Sequence, residues 1–360
     1  RPLMSGKAEE QSALITRSEE PLNLEMPFAS VRDFVTPNEL FYIRSHFPIP
    51  QIEKANWRLK VEGAVEKPID FGFDDLTRFE TQTLTAVMEC AGNGRSHLVP
   101  KVKGVAWDIG AVGNAGWRGV WLRDVLARAG VKENAAEVIL EGADRGAIKE
   151  PPRPPNEINY ARSLPLEKAQ GDVLLAFEMN GAPLTPEHGF PLRAVVGGWF
   201  GMASVKWLQR IIVTATPFNG YYQSIDYTYW SADDGLPELK PLREMQVKAQ
   251  IARPAMGEVL RAGERYRVHG AGWAAEDFIS KVEFSADDGA SWSEAKLLGA
   301  PMKYAWRFWE LDWTAPQQPG KYNLIARATD SAGRTQPRER VAAYGTYMIN
   351  HWLRIEVEVR

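Results

Sequence analysis

Short apolar runs and alternating apolar positions dominate the hydrophobic pattern of this chain, and long helical stripes are rare. Apolar and polar residues alternate from Trp57 to Gly63, and a Thr-rich strand is predicted from Thr81 to Met88. Helical spacing runs from Trp121 to Ala129, where Gly130 stops it, and a short capped helix is predicted from Asp74 to Phe79. The first part of the chain is therefore predicted to mix short helices with strands.

The middle of the chain continues this mixture without a regular βαβ period. A strand resumes from Val138 to Leu140, and two buried strands, Gly189 to Gly198 and Val205 to Thr214, flank the Gly-rich stretch at 197–201. Residues 146–165 are rich in proline and charge and are predicted to form a long surface loop. Because strands and helices do not alternate regularly, the predicted fold class is α+β, a mixed domain rather than a doubly wound parallel sheet.

The pattern changes near Met245 to short strands with almost no helical signal. Asp287-Asp288-Gly289 is typical of a hairpin turn. The spacing predicts an immunoglobulin-like β-sandwich of about 100 residues, with strands at Tyr266–His269, Val282–Ser285, Trp306–Trp313, Tyr322–Thr329 and Arg354–Val359. We therefore expect an N-terminal arm at 1–40 packed on the main domain, a catalytic domain at 41–245 and the sandwich domain at 246–360.

Composition excludes two classes of partner. The chain is 44% hydrophobic and 25% charged, and it holds no apolar run long enough for a membrane span. Its net charge of -3 gives no indication of binding nucleic acid through neutralised phosphates. We therefore expect no nucleic acid and no membrane partner, although local positive clusters could still bind a small anion.

The chain contains a single cysteine, Cys90, in 360 residues. One cysteine excludes an internal disulfide framework, a Cys-rich zinc site, a four-thiolate iron–sulfur cluster and a C-x-x-C-H haem attachment. Cys90 follows a predicted strand and begins the turn Cys-Ala-Gly-Asn-Gly-Arg, which ends at Arg95. A thiol at a strand end on a tight turn is well placed to present a ligand.

Three stretches of the first domain place a cation or an imidazole beside a rigid turn. They are Phe41–Pro48, with Arg44 and His46, the Cys90 loop, and His188-Gly-Phe-Pro-Leu-Arg193. Arginine provides bidentate contacts to oxyanions, and glycine-rich turns free backbone N–H groups. These stretches are suited to an anionic cofactor or substrate.

Together with Val205-Lys206-Trp207-Leu208, these motifs resemble the sulfite oxidase family of molybdopterin enzymes, and most of all its haem-free bacterial sulfite dehydrogenases. The match extends over both predicted domains. In that family an α+β molybdopterin-binding domain precedes an immunoglobulin-like dimerisation domain. The resemblance therefore implies this fold, molybdenum with molybdopterin as the cofactor, and a homodimer.

The resemblance also assigns roles to individual residues. It implies that Cys90 is the protein thiolate ligand of molybdenum, since a soft thiolate suits a metal already bound by dithiolene sulfurs. Arg44, Arg95 and Trp107 match the pocket for a small oxyanion, and Tyr227, beside Asp226, matches the active-site tyrosine. The positions that match the pterin and phosphate contacts are Tyr42, Ile43, Arg44, Ser45, His46, Cys90, Asp144, His188, Arg193, Ser204, Val205 and Lys206.

The sequence departs from the family at one point. Vertebrate and plant members carry a further pocket arginine near the C-terminus, and here Val341 to Trp352 reads VAAYGTYMINHW, without arginine. Arg307 is a possible substitute, although no motif supports it. The missing arginine would affect the affinity for the substrate, and which substrate is bound, more than it would affect the metal site.

Each of these residues also has an ordinary structural interpretation. A single cysteine is usually a small buried hydrophobe. His46 and His188 could satisfy turns, Arg193 could form a structural ion pair, and Tyr227 could simply pack in its aromatic-rich stretch. Trp306, Trp309 and Trp313 are most simply sandwich core or dimer interface.

The function expected from the resemblance is the oxidation of sulfite to sulfate at molybdenum. With no haem motif in this chain, electrons would leave singly to an external c-type cytochrome, and the resemblance implies a periplasmic enzyme. Two alternatives stay open: a molybdopterin-dependent sulfoxide reductase of the same fold, and a non-catalytic β-sandwich interaction module. A neutral sulfoxide would gain little from two cationic arginines in the pocket, so these arginines make a sulfoxide substrate less favourable.

Overall fold

A three-stranded sheet ties the beginning of the chain to the main domain. The computed structural model describes residues 13–360, so the first twelve residues of the expected arm lie outside the described residues. Ile15–Ser18 pairs with Asn23–Glu25, which pairs in turn with Ile43–Arg44. The arm expected at 1–40 thus contains two short strands, which give no periodic signal in the sequence because they are only four and three residues long.

A five-stranded mixed sheet forms one face of the main core. Its order is Ile69–Gly72, Arg58–Gly63, Leu208–Thr214, Glu137–Gly146 and Ile158–Pro165. Leu208–Thr214 runs parallel to Arg58–Gly63, whereas the other neighbours are antiparallel. A mixed sheet of this kind confirms the α+β class.

A second, antiparallel sheet leads directly to Cys90. Its path is Ala182–Pro183, Val173–Met179, Val112–Trp121 and Gln82–Glu89, and Arg193–Val196 also pairs with Val173–Met179. All eight residues of Gln82–Glu89 pair with Val112–Trp121, which fixes the end of the strand immediately before the thiol.

The helices are short. Those of the described residues are the α-helices Phe73–Leu76, Leu122–Ala129, Leu166–Ala169 and Tyr221–Ser224, and the 3-10 turns Phe28–Ser30, Asn38–Leu40, Arg95–His97, Pro186–His188, Gly201–Ala203 and Ala342–Tyr344. Leu122–Ala129 ends at Gly130 as predicted, and the predicted helix near residue 74 is a single turn. Within residues 13–360, no helix has the length and hydropathy required to cross a bilayer.

The predicted surface loop at 146–165 is wrong over its second half. Ile158–Pro165 is a strand that pairs with Glu137–Gly146, and its Arg162 side chain is fully buried. Arg162 donates hydrogen bonds to the carbonyl oxygens of Tyr222, at 2.7 Å, and Leu242. Arg162 can be buried because its guanidinium donates to these backbone carbonyls. The charged residue makes the strand polar in sequence, so no apolar pattern distinguishes the strand from the proline-rich run before it.

The C-terminal part is a β-sandwich, as predicted. One sheet contains Lys248–Arg253, Arg265–Trp273, Arg307–Thr314 and Lys296–Leu297, and the other contains Val259–Leu260, Ile355–Val359, Gly320–Asp330, Ile279–Ser285 and Ser293–Glu294. Asp288 and Gly289 form the predicted turn with φ of 56° and 86°. A separate hairpin, Thr228–Ser231 with Glu238–Pro241, precedes the sandwich.

The sandwich packs closely on the first half of the chain. Trp309 lies in the sandwich core, whereas Trp273 and Trp306 belong to the main core. The indole of Trp306 donates to the carbonyl oxygen of Phe34 at 2.9 Å, and the backbone N–H of Val87 donates to that of Tyr304 at 2.8 Å. The division at 245/246 remains a prediction, since the main core draws residues from both sides of it.

Candidate active site

The Cys90 loop is held by backbone hydrogen bonds. The N–H of Cys90 donates to the carbonyl oxygen of Ala111 at 2.9 Å, and the N–H of Asn93 donates to that of Cys90 at 2.9 Å. Gly94 has φ of 92°, a left-handed conformation that glycine adopts without strain and that turns the chain into Arg95–His97. This geometry holds the Cys90 side chain in a fixed position, 5% exposed.

Cys90 lies in the wall of a cavity that opens to solvent, with about 610 Å³ of space not filled by atoms, open solvent included. The cavity brings together residues as distant in the chain as Phe41 and Tyr227. The predicted site residues that line it are Tyr42, Arg44, His46, Cys90, Asp144, His188, Arg193, Ser204, Val205, Lys206 and Tyr227. Five others, Ile43, Ser45, Arg95, Trp107 and Asp226, are not among its lining residues.

Arg44 enters the cavity from the strand that closes the three-stranded sheet. Its Nη1 donates to the side-chain oxygen of Asn23 at 3.2 Å and to the carbonyl oxygen of Ser45 at 2.7 Å. Burial opposes its charge, but Tyr227, Cys90 and other nearby groups outweigh burial and raise the pKa of Arg44. The guanidinium is therefore a permanent cation beside the thiol.

Two arginines stabilise the thiolate form of Cys90 against burial. Burial raises the pKa of the Cys90 thiol, and the charges of Arg44 and Arg95 oppose this shift. A thiolate is the form that binds a metal. A metal cation at this sulfur would further stabilise the thiolate.

His46 and Tyr227 form a neutral hydrogen-bonded pair beside the thiol. His46 Nε2 and the Tyr227 hydroxyl are 2.6 Å apart, and the imidazole stacks on Tyr160 with ring centroids 4.5 Å apart. Burial, followed by Arg44 and Lys206, holds the pKa of His46 well below its usual range. Burial raises the pKa of Tyr227, so its phenol keeps its proton.

The other end of the cavity is a cluster of buried cationic groups. Arg193 donates to the carbonyl oxygens of His188 and Ser204, each at 3.1 Å, and Lys206 donates to that of Glu187 at 2.9 Å. No carboxylate pairs with Arg193 among the described ion pairs, so the expected alternative of a structural ion pair is wrong. Burial lowers the pKa of Arg193 to about 10 and, with Arg193, that of Lys206 to about 7.

Three predicted residues, Arg95, Trp107 and Asp226, do not line the cavity, although Trp107 and Asp226 contact residues that do. Arg95 donates to the carbonyl oxygens of Val105 and Thr346 at 2.9 and 3.2 Å. Trp107 packs edge-on against Tyr42 with centroids 6.3 Å apart, and Asp226 Oδ1 accepts the backbone N–H of Tyr227 at 2.8 Å. Their contacts with substrate remain predictions.

Two family models match the chain. Residues 46–222 match the family model described as an oxidoreductase molybdopterin-binding domain, and residues 240–360 match the Mo-co oxidoreductase dimerisation domain. Sulfite oxidase of Gallus gallus is 35% identical over 352 residues, covering 92% of this chain and 75% of that protein. This chain belongs to the sulfite oxidase family.

Two further relatives show the extent of the match. Mitochondrial sulfite oxidase of Rattus norvegicus is 35% identical over 368 residues, covering 96% of this chain and 66% of the rat protein. The crystal structure of the sulfane dehydrogenase SoxCD from Paracoccus pantotrophus superposes with a TM-score of 0.82 at 28% identity, covering 98% of this chain and 92% of that one. The family and its two-part fold are therefore shared over nearly the whole chain.

The family's cofactor, molybdenum with molybdopterin, fits the residues of the cavity. Asp144 Oδ1, in the wall of the cavity, is buried without a hydrogen-bond partner. Buried polar atoms are normally satisfied, so unpartnered ones around a cavity indicate a polar ligand. Arg193 and Lys206 would hold its phosphate, Asp144 would accept hydrogen bonds from the pterin, and Cys90 would bind the metal.

Cys90 is the side chain suited to hold the metal. The described residues contain no group of three or more His, Cys, Asp or Glu side chains that could hold a metal ion by themselves. Cys90 is the single cysteine of the chain, and its soft thiolate would suit a molybdenum that is also bound by the pterin.

Arg307 does not replace the missing family arginine. Its guanidinium donates to the carbonyl oxygens of Gly299, at 2.7 Å, and Ile279, at 3.4 Å, both within the sandwich. The segment that lacks the arginine instead lies on the Cys90 loop, where the N–H of Met348 donates to the carbonyl oxygen of Ala91 at 3.0 Å. This segment contributes Tyr347, which the sequence reasoning did not identify.

A buried ion pair joins the thiol loop to the sandwich and was also missed. Lys248 Nζ lies 2.8 Å from Glu89 Oε2, and the two side chains are only 7% and 3% exposed. Glu89 also accepts from the Trp273 indole and the Asn93 amide, each at 3.1 Å. We name Glu89, Lys248, Trp273 and Asn93 the loop clamp, because they fix the residues on both sides of Cys90.

Proposed function

We propose that this chain oxidises sulfite to sulfate at a molybdenum held by Cys90 and passes the two electrons singly to an external c-type cytochrome. The observation that supports the proposal most directly is the arrangement of Cys90, Arg44 and Tyr227 in one cavity, with Arg95 close enough to act electrostatically on Cys90. Sulfite and water yield sulfate, two protons and two electrons. The same balance requires an electron acceptor outside this site.

The arginines bind the substrate in this proposal. Sulfite carries negative charge, and Arg44 is a cation in a buried wall beside the thiol. An arginine in a site that excludes water binds an oxyanion more strongly than one at the surface, because the effective dielectric is lower. Arg44 and Arg95 would therefore orient sulfite with its sulfur toward the metal. A neutral sulfoxide would gain little from two such cations.

Tyr227 and His46 hold a proton at a defined place. The phenol of Tyr227 is protonated and can donate a hydrogen bond to an oxygen in the cavity, while His46 Nε2, 2.6 Å away, fixes its direction. With its proton on Nε2, neutral His46 donates this hydrogen bond to the phenolic oxygen and leaves the phenolic proton free for the cavity. Bound molybdopterin would supply two-electron oxygen-atom transfer, and the chain would supply the orientation and the charge for it.

Steady-state turnover tests the proposed reaction. Purified cofactor-loaded protein should reduce ferricytochrome c when sulfite is added, with two cytochromes reduced per sulfate formed. Methionine sulfoxide with a reduced dye is the competing assay. Turnover of the sulfoxide without turnover of sulfite would exclude the proposal in favour of a reductase, and well-folded protein that holds neither metal nor pterin would favour the non-catalytic module.

We further propose that the enzyme is a periplasmic homodimer. The match of residues 240–360 to a dimerisation domain supports the dimer, and the resemblance to haem-free bacterial enzymes supports the compartment. Light scattering coupled to gel filtration tests the first statement, since a monomeric mass at micromolar concentration would contradict it. Fractionation of the native host cells tests the second.

A further inference from the structure

The segment that lacks the family arginine places a tyrosine ring against the predicted substrate arginine. The guanidinium carbon of Arg95 lies 5.1 Å from the centroid of the Tyr347 ring. The neighbouring carbonyl oxygen, that of Thr346, accepts the hydrogen bond from Arg95 Nε at 3.2 Å. Arg95 is therefore held from one side by two consecutive residues of this segment, and its orientation depends on them.

The same tyrosine also reaches the Asp226–Tyr227 pair. The Tyr347 hydroxyl donates a hydrogen bond to Asp226 Oδ1, the atom that accepts the backbone N–H of Tyr227 at 2.8 Å. The rings of Tyr347 and Tyr227 lie 5.1 Å apart at an interplanar angle of 35°. Tyr347 thus contacts both ends of the predicted oxyanion pocket, the arginine and the active-site tyrosine.

Tyr227 needs this support because its backbone is strained. Its φ is 51°, a left-handed conformation that side-chain-bearing residues rarely adopt. The bond from its N–H to Asp226 holds the strained conformation, and Asp226 in turn depends on Tyr347 for its second donor. Loss of the Tyr347 hydroxyl would remove one of the two hydrogen-bond donors to Asp226 Oδ1, the atom that accepts the N–H of the strained Tyr227.

We propose that Tyr347 is a positioning residue of the substrate pocket, which sets Arg95 through its ring and Tyr227 through its hydroxyl. This proposal rests on the proposed function, because sulfite is the anion that Arg95 is taken to bind. The two contacts use different parts of one side chain. They can therefore be removed separately.

Two substitutions separate the contacts. Tyr347→Phe keeps the ring on Arg95 and removes the hydroxyl, so kcat for sulfite should fall about tenfold while KM stays within about twofold. Tyr347→Leu removes the ring as well, so KM should also rise about tenfold. The matched control is Tyr344→Phe on the same segment, whose ring packs on Tyr229 and which should match the wild type.

Sulfate binding distinguishes this proposal from the proposed function. Calorimetric titration with sulfate measures the affinity of the anion pocket without turnover. Wild type and Tyr347→Phe should bind sulfate equally well, and Tyr347→Leu should bind it more weakly. If the wild-type protein does not turn over sulfite, the proposed function is wrong. The sulfate titration would still test whether Tyr347 affects the affinity of the anion pocket. Equal sulfate affinity in wild type and Tyr347→Leu, or unchanged kcat in Tyr347→Phe, would overturn the proposal. If Tyr347→Leu does not fold, the nearly isosteric Tyr347→Phe decides.

Discussion

Cys90 combines two properties that normally exclude each other, burial and access to a ligand. The thiol is 5% exposed, yet it faces a cavity, and the charges of two arginines oppose the rise in its pKa that burial causes. A cysteine whose only role was packing would be surrounded by apolar atoms, with no cations beside it. The electrostatics therefore favour the role of a metal ligand, which leads to a direct prediction.

Cys90→Ser should abolish sulfite turnover while the fold is kept. Serine is close to cysteine in size but offers a hydroxyl, which is a poor ligand for a soft metal site. We expect at least about a hundredfold loss in kcat, with the thermal unfolding midpoint of the variant close to that of the wild type when both are prepared without cofactor. Full activity of the serine variant would refute the ligand assignment.

His188 makes the cavity sensitive to acid. Burial, together with Lys206 and Arg193, lowers the pKa of His188 from 6.5 to about 3. Its stabilising contribution is complete above pH 6.5 and is lost as pH falls toward 3, because only the unfolded chain binds the proton easily in that window.

Cofactor-free protein should therefore lose stability on acidification with a contribution from His188 of up to about 1.4 kcal/mol per pH unit. His188→Asn removes the titrating group, so its free energy of unfolding, measured in urea, should depend less steeply on pH between 6.5 and 3. Aspartate and glutamate side chains titrate equally in the wild type and in His188→Asn. The difference between the two slopes of unfolding free energy against pH therefore measures the contribution of His188. Parallel curves would show that His188 is not the group responsible.

At the scale of single elements, the short strand Asn23–Glu25 positions Arg44, the arginine that we propose binds the substrate. Asn23 is 1% exposed, and its side-chain oxygen accepts from Arg44 at 3.2 Å and from the N–H of Ser45 at 3.0 Å. An element that gives no periodic signal in the sequence thus fixes the orientation of a predicted catalytic side chain.

Asn23→Ala should raise KM for sulfite about tenfold. The substitution leaves the buried N–H of Ser45 without its acceptor and lets the Arg44 guanidinium turn away. Asn56→Ala is the matched control, because the Asn56 amide bonds to Glu53 in an exposed position and takes no part in the cavity. Equal KM values for the two variants would mean that Arg44 is positioned by Ser45 alone.

The elements that sequence could predict are those whose pattern is local. The strand ending before Cys90, the helix stopped by Gly130 and the turn at Asp288 follow from periodicity and glycine positions within a few residues. The strand Ile158–Pro165 was missed because the partners of its buried Arg162 lie 60 and 80 residues away. The same limit applies to the site: motif residues could be found, whereas Asn23 and Tyr347 act through distant contacts.

At the scale of the whole molecule, the loop clamp connects the sandwich to the thiol. Lys248 and Glu89 are 159 residues apart and form their ion pair in the interior. Breaking a buried pair leaves an uncompensated charge, so Lys248→Met should destabilise the protein by about 3–5 kcal/mol. Denaturant unfolding measures this loss.

A double substitution separates pairing from packing. Glu89→Gln combined with Lys248→Met removes both charges and keeps an acceptor for the Trp273 indole, so it should recover at least half of the lost stability. Lys321→Met removes an exposed pair with Glu356, at 3.0 Å, and should change stability by less than about 1 kcal/mol. Failure of the double variant to recover stability would mean that Lys248 packs rather than pairs.

The contact of residues 346–349 with the Cys90 loop has a consequence for how such enzymes can be recombined. Met348 bonds to Ala91, and a side chain added at Gly94 would press against Ile349 at 3.2 Å. A C-terminal part taken from a relative would therefore bring with it a different neighbour for Arg95. A graft at the boundary between the two matched family regions would transfer these neighbours of Arg95 along with the sandwich, and the chimaera would combine residues of the proposed substrate pocket from both parents.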